Sequence, residues 1–291
     1  MPIQTATTGQ LEDAMNTVIA EWRFTAEANA PCVQLIDRYT LPNGNSTYRF
    51  PKVGQATFSA LTDGIDLVDS QNIGLTYVDA QPSEVGAKFV LTDKLVRQAS
   101  ADAFKVIGRQ LGDGMGRKRD EDVIVLFASL NSAWGADNAT LGLTQASALV
   151  GMTKAYKFPA PIYCVHHPNA IATLAKNAVG IGTTYYPGLV GDSSSLQNEI
   201  MKNFFKMSIS GVMFFEDGNI AKIGAVDSAY GAIFSKSAMA CVESQAPTTA
   251  RERDESLRGT EIIMVSDYIM VEVDGGYGGS ARYEIGDLVT S

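Results

Sequence analysis

The hydrophobic pattern is most regular in the middle of the chain, where apolar or small side chains recur at steps of three and four residues. That spacing predicts one amphipathic helix over residues 92–115, with Thr92 as its N-cap. Such a helix would be about 36 Å long. Glycines crowd its second half and lower helix propensity. We expect the helix to continue through them with a bend, and a clean break there is the alternative.

A basic triplet, Arg117, Lys118 and Arg119, follows these glycines, and an acidic triplet follows it directly. Short runs of like charge usually form a solvated face. We therefore expect the basic triplet to be exposed at the far end of the central helix. Its acidic neighbours argue against a DNA-binding role for it.

A second amphipathic pattern lies near the start of the chain and predicts a helix over residues 9–28, ended by Pro31. Such a helix must cover an apolar surface, which is either its own core or that of a neighbouring subunit. The apolar face consists of Leu11, Met15, Ile19 and Trp22.

Residues 32–78 have the pattern of extended chain. A strand is predicted at residues 47–53, where Pro51 favours an edge position. Two further strands, at residues 55–62 and 73–80, would form a long hairpin, which is marginally stable alone in water and so requires a partner surface. Its polar tip has three acidic side chains without the spacing of an EF-hand calcium loop. We interpret Asp63, Asp66 and Asp69 as a solvated turn or a contact for a basic partner.

The second half of the chain alternates between predicted strands and helices, after a loop-rich stretch at residues 133–143. A Gly-rich turn at residues 274–279 separates the last two strands. Helices are expected at residues 169–179 and 195–207, and strands at residues 160–168, 211–215, 261–265, 268–273 and 281–285.

Composition excludes several classes of function. The chain has 291 residues and a net charge of −9, which argues against a sequence-independent grip on nucleic acid. Its three cysteines are widely spaced, so neither a disulfide framework nor a zinc site is expected, and no cofactor is predicted. No secretory signal and no membrane-spanning run is recognisable, which is typical of synthesis in a reducing compartment.

Cys164 and His166 are the strongest candidates for chemistry. They lie two residues apart on a predicted strand and so face the same side, where a nucleophile pair is conceivable, whereas His167 faces the opposite side. A buried cysteine beside a hydrogen-bonded histidine is the interpretation we prefer. The glycine loop at residues 188–193 lacks the Lys-Ser/Thr of a phosphate-binding P-loop.

The order of these elements resembles the major capsid proteins of tailed double-stranded DNA bacteriophages, which have the Hong Kong 97-type shell fold. The resemblance covers nearly the whole chain through pattern and order, without a rigid motif. The segments that carry it are residues 49–53 and 77–78, 83–104, 120–131, 231–243 and 251–273.

The resemblance implies an α+β fold with four parts. These are an N-terminal arm at residues 1–44, an extended β-hairpin loop at 45–80, a peripheral domain with a long spine helix at 81–132 and 245–291, and an apical domain at 133–244. Some relatives cross-link through a lysine on the extended loop. The tip here has none, and Lys52 lies near the base of the loop instead.

The resemblance also implies a structural, non-enzymatic protein that self-assembles into an icosahedral shell of hexamers and pentamers. The expected partners are further copies of the chain, a separate scaffolding protein, a portal and packaged double-stranded DNA bound without sequence specificity. The expected location is the virion capsid, after synthesis in the host cytoplasm. Two alternatives are a nanocompartment shell around protein cargo and a cysteine-dependent hydrolase using Cys164 and His166.

In that family the extended loop of one subunit lies across the peripheral domain of its neighbour. We therefore predict that the acidic tip at Asp63, Asp66 and Asp69 lies near the basic triplet of an adjacent subunit. Together with the apolar face of the N-terminal helix, these side chains form the predicted subunit interface.

Overall fold

The computed structural model describes residues 31–54, 58, 60, 63, 74–93, 102–182 and 205–286. The predicted helix at residues 9–28, the tip residues Asp66 and Asp69, the predicted strand at 55–62 apart from single residues, and the glycine loop at 188–193 lie outside this part of the chain. None of the described helices has the length and apolarity needed to span a membrane.

A four-stranded sheet forms one half of the core. Its strands, in spatial order, are β1 (Asp37–Thr40), β10 (Met239–Asp254), β11 (Gly259–Glu272) and β4 (Ser83–Thr92). Side chains on β11 alternate, so that Ile262, Met264 and Tyr268 are buried on one face.

Strand β4, which was not predicted, ends where the central helix was predicted to begin. Thr92, the predicted N-cap, is the last residue of β4 and pairs with Gly259 of β11. Asp93 directly after it is helical, residues 94–101 lie outside the described part of the chain, and the helix, α2, is described over Asp102–Phe127. It continues without interruption through its glycines, so continuation is confirmed and a clean break there is wrong. At ~1.5 Å per residue its 26 residues extend about 39 Å.

Helix α2 packs through a buried stripe with a spacing of four residues. Leu111, Met115, Val123 and Phe127 are each less than a tenth exposed. Arg119 occupies the central position of the same stripe and is 8% exposed. The stripe therefore passes through the predicted basic face.

A six-stranded mixed sheet forms the other half of the core. Its strands, in spatial order, are β5 (Ser132–Gly135), β12 (Gly278–Glu284), β9 (Ser228–Ser235), β6 (Ile162–His166), β8 (Val212–Glu216) and β7 (Phe205–Ile209). Strand β9 lies inside it and is buried at seven of its eight positions. The helices α3 (Leu143–Ala155) and α4 (Pro168–Gly182) belong to the same half of the chain.

Several predictions for this half are corrected. Phe205, predicted to lie in a helix, belongs to β7, which pairs with β8. Helix α3 was not predicted, and β5 replaces part of the expected loop. The two strands predicted at residues 261–265 and 268–273 are one continuous strand, β11. The strand predicted at residues 160–168 and the helix at 169–179 correspond to β6 and α4.

The two sheets also bear on the predicted domain limits. Strand β10 runs through the predicted boundary at residue 245. Strand β12 joins the six-stranded sheet, although residues 245–291 were assigned to the peripheral domain. A single hydrophobic cluster includes residues of both sheets and of α2. The domain division therefore stays a prediction, with its last strand placed in the other sheet.

A separate two-stranded ribbon consists of β2 (Tyr48–Val53) and β3 (Leu75–Ala80), paired antiparallel from Tyr48–Ala80 to Val53–Leu75. Pro51 lies within it, as an edge strand permits. At its base, Phe50 and Ala80 pack with Leu41, Ala240 and Val242 in a small second core. A short helix, α1 (Pro31–Gln34), lies at the start of the described chain.

Candidate subunit-interface surfaces

The ribbon is buried at its base and exposed along its length. Phe50 is 8% exposed, whereas Val53 is 59% exposed and Tyr77 is 50% exposed. The Arg49 guanidinium makes two hydrogen bonds to the Asp79 carboxylate, 2.6 and 2.9 Å long, and lies over the Tyr77 ring. Apolar side chains on both strands thus have little cover within their own subunit. Such a surface is typical of an element that packs against another chain.

The ribbon is also tied to the body of the protein by charge, beyond its buried base. Lys52 Nζ lies 2.6 Å from Asp274 Oδ1, in the turn between β11 and β12. The lysine that the resemblance singled out is therefore engaged within its own subunit. Asp63 is exposed in a turn, whereas Asp66 and Asp69 lie outside the described residues.

The basic triplet at the helix end is divided between surface and core. Arg117 is exposed. Lys118 is half exposed and pairs with Asp122, one turn along the helix, at 2.5 Å. The expectation that all three side chains face solvent is wrong for Arg119, because that position belongs to the buried stripe of α2.

Arg119 is the centre of a charged network inside the subunit. Its Nη1 donates to Glu243 Oε1 at 2.5 Å, and its Nη2 donates to Ser266 Oγ at 2.7 Å. The guanidinium lies over the Tyr268 ring, 4.6 Å from the centroid. Tyr268 Oη in turn donates to Asp122 Oδ2 at 2.9 Å. Arg119 therefore joins α2 to β10 and β11 and is not available to a neighbouring subunit.

The chain matches a known protein family over the part that forms this architecture. The family model that matches the chain covers residues 76–278, more than half of the sequence, and is described as phage capsid protein. The chain belongs to this family. It is a structural major capsid protein, as the sequence resemblance predicted. A comparison with curated protein sequences gives no match.

Solved structures share the fold at low sequence identity. The capsid of cyanophage P-SCSP1u is 14% identical, with a TM-score of 0.63 over 87% of each chain. The head of Helicobacter pylori bacteriophage KHP40 is 8% identical, with a TM-score of 0.66 over 89% of this chain and 91% of that one. A virus-like particle from Pyrococcus furiosus is 10% identical, with a TM-score of 0.57 over 93% and 98%. The predicted α+β, Hong Kong 97-type fold is confirmed.

In this capsid protein a buried polar cluster fixes the start of the described chain, where the N-terminal arm is predicted. Cys32 N donates to Asp120 Oδ1 at 3.0 Å, and Cys32 Sγ donates to Asp217 Oδ2 at 3.0 Å. Asn219 donates through its side chain to Asp120 Oδ2 and through its backbone to Asp217 Oδ1. The cluster therefore joins α1, α2 and the turn after β8. Sequence reasoning missed it.

The buried Asp120 carboxyl group in this cluster keeps its proton at neutral pH. Burial, followed by the hydrogen bond to Asp217 and its charge, raises the pKa of Asp120 from 3.8 to about 9. Burial, with the charges of both carboxyl groups, raises the pKa of Cys32 well above its usual value. The three residues offer donor atoms within 4.8 Å of one another, a spacing that a metal ion also requires. Hydrogen bonds within the cluster, including those from Asn219, already occupy these atoms.

We expect this proton to make the capsid protein less stable as the pH rises. Between about pH 4 and pH 9 the folded Asp120 keeps a proton that the unfolded chain has lost, so unfolding releases a proton. The stabilisation is complete below the unfolded pKa of 3.8 and is lost as the pH rises through about 9. The slope is at most about 1.4 kcal/mol per pH unit. Urea unfolding between pH 5 and pH 9 measures it.

The variant Asp217→Asn should make this slope shallower, because it removes the negative charge of Asp217 that helps to raise the pKa of Asp120. Glu121→Gln, which neutralises an exposed neighbour of Asp120 on the same helix, is the matched control and should leave the slope unchanged. Equal slopes for the original protein and Asp217→Asn would contradict an effect of Asp217 on the protonation of Asp120.

Cys164 and His166 do not form an activated nucleophile pair. Both side chains are fully buried in β6. Burial raises the pKa of Cys164 to about 12, and burial, with the charge of His167, lowers the pKa of His166 to about 4. His166 Nδ1 accepts a hydrogen bond from the backbone N–H of His167 at 2.9 Å. The thiol thus stays protonated at neutral pH, whereas a nucleophilic cysteine must ionise.

Proposed function

We propose that this capsid protein assembles with copies of itself into the closed icosahedral shell of a tailed phage, as hexamers and pentamers around packaged double-stranded DNA. The observation that carries the proposal is the ribbon of β2 and β3, which exposes apolar side chains beyond a buried base. Every subunit presents the same ribbon and the same receiving surface. Contacts that are weak singly therefore add up around a closed shell.

The protein acts structurally in this proposal and catalyses no reaction. The protonated Cys164 thiol supports that view. The net charge of −9 supports enclosure of DNA without a tight electrostatic grip on its phosphates. A separate scaffolding protein and a portal would complete the particle, and synthesis would take place in the host cytoplasm.

The proposal is tested by expressing the protein with and without candidate scaffolding proteins and imaging the product by negative-stain electron microscopy. Closed shells of uniform size are the expected result. Nucleic acid inside shells purified from infected cells supports a genome container, whereas a single protein cargo supports the nanocompartment alternative. Soluble monomers under every condition would contradict self-assembly.

We further propose that the acidic tip of the ribbon lies near Arg117 and Lys118 of an adjacent subunit. Arg119 is omitted from this pairing because Glu243 and Ser266 hold it inside its own subunit. Exposed ion pairs contribute about 0.2–1 kcal/mol each and weaken with salt. Their effect therefore depends on repetition over every subunit of the shell.

Reversing Asp63, Asp66 and Asp69 to lysine should reduce the yield of shells, because like charges would then face each other. Adding Arg117→Glu and Lys118→Glu to that variant should restore part of the yield. Yield is measured by sedimentation at low and high salt. The pair Arg117→Glu and Lys118→Glu with the original tip is the control and should itself impair assembly. If the combined variant assembles no better than the tip variant, the pairing is wrong.

A further inference from the structure

An apolar groove lies on the surface beside the start of the described chain. One wall is the last part of α2, where Ile124, Val125 and Ala128 face the groove, and the other is the segment after β8, with Ile220 and Ile223. The groove has a volume of about 530 Å³, within the size range of pockets that bury a ligand. Val125 is 70% exposed.

The chain outside the described residues ends next to this groove. Cys32 N and Asn219 Nδ2 donate to the two oxygens of the same Asp120 carboxylate. Asn219 also lines the groove, and Glu121, the residue after Asp120, lines its opposite wall. The start of the described chain at Pro31 is therefore held close to the groove, because the Asp120 side chain links Cys32 to Asn219 of the groove wall.

We propose that the predicted helix at residues 9–28 packs into this groove of its own subunit. Three residue steps separate Ala28 from Pro31, and they span at most about 11 Å. The end of the predicted helix that contains Trp22 is thus tethered close to the groove. A segment on so short a tether has a high effective concentration, which favours it over the same segment of another subunit.

The dimensions of the two surfaces agree. The wall of α2 from Glu121 to Ala128 covers seven residue steps, or about 10 Å of helix. The predicted apolar face from Met15 to Trp22 covers the same number of steps. Met15, Ile19 and Trp22 therefore fill the groove, and Leu11 lies beyond it. This places the face within its own subunit, where the sequence prediction had put it at a subunit interface.

Fluorescence of dissociated subunits tests the packing, because the protein has only two tryptophans. Trp134→Phe leaves Trp22 as the single tryptophan, with a blue-shifted emission expected. Adding Val125→Lys should shift the emission to longer wavelength and raise the acrylamide quenching constant several-fold. Met152→Lys, which charges an exposed apolar residue of α3, is the matched control and should change neither. An emission typical of solvent-exposed tryptophan, unaffected by Val125→Lys, would overturn the proposal.

A disulfide test identifies which subunit supplies the helix. The three native cysteines are buried, so the double variant Ile19→Cys with Val125→Cys adds the only accessible pair within the described residues and the predicted helix. On mild oxidation of dilute subunits, a cross-link within one chain is expected. A cross-link that forms only when the two single variants are mixed would overturn the proposal in favour of a neighbouring subunit. Neither measurement requires assembled shells, so failure here is distinct from failure of the proposed assembly.

Discussion

Protein that lacks residues 1–28 is expected to remain soluble and largely folded but to form no closed shells. The described sheets and helices are built from residues 31–286, so the two halves of the core persist without this segment. The apolar groove beside Asp120 is then uncovered. Its loss of cover alters the surface that the spine helix α2 presents to neighbouring subunits. Electron microscopy measures the loss of shells, and circular dichroism with thermal unfolding measures the remaining fold.

Deletion of residues 1–8 alone is the matched control, because these residues precede the predicted helix. That variant should assemble at a yield close to that of the full chain. Shells of normal size and yield from the longer deletion would remove the arm from the assembly mechanism, whatever the position of its helix in the groove.

Local patterns predicted the elements whose stability is decided locally. The buried strand β6 and the helix α4 follow from apolar runs and flanking turn residues, and both lie where they were expected. The ribbon strands β2 and β3 follow from the same kind of signal, but the predicted pairing was wrong, because β3 pairs with β2 and was expected to pair with residues 55–62. The continuity of α2 through its glycines was also predictable, because burial of Leu111 and Met115 on the stripe outweighs a propensity loss of about 1 kcal/mol per glycine.

The wrong predictions concern segments whose structure depends on distant partners. Strand β4 was not predicted, because it is formed by pairing with β11, whose residues are far from it in the chain. The alternation of Val85, Ala87 and Phe89 was the available signal. Phe205 becomes a strand residue because β8 pairs with it. Such pairing is decided by tertiary contacts that override propensity.

The candidate surfaces were predicted less completely, for the same reason. The signal for burial of Arg119 was present, because it lies four residues from both Met115 and Val123 on the apolar stripe. Its neighbours in the basic triplet concealed that signal. No local pattern indicates the cluster at the start of the described chain, since Cys32 and Asp217 are 185 positions apart. The interface pairing itself involves a second subunit and stays a prediction.

Replacing Arg119 by methionine should destabilise the subunit strongly, although the triplet looks like a surface feature in the sequence. The substitution keeps most of the volume but leaves Glu243 without its partner and Ser266 Oγ without the donor Nη2. Removing one partner of a buried ion pair typically costs about 3–5 kcal/mol. We expect a loss of about 3 kcal/mol here, the lower end of that range. The Glu243 side chain is 27% exposed, so water can solvate part of its unpaired charge. Urea unfolding at constant pH measures the loss.

Three further variants define the origin of that loss. Arg117→Met, the exposed neighbour on the same helix, should change stability by less than about 0.5 kcal/mol. Arg119→Lys should give an intermediate loss, because an ammonium group cannot bond Glu243 and Ser266 together while stacking on Tyr268. Adding Glu243→Gln to Arg119→Met should recover part of the stability, since no buried charge is then unpaired. If Arg119→Met is no less stable than Arg117→Met, Arg119 does not anchor the spine helix to β10 and β11, and it becomes available for the contact between subunits.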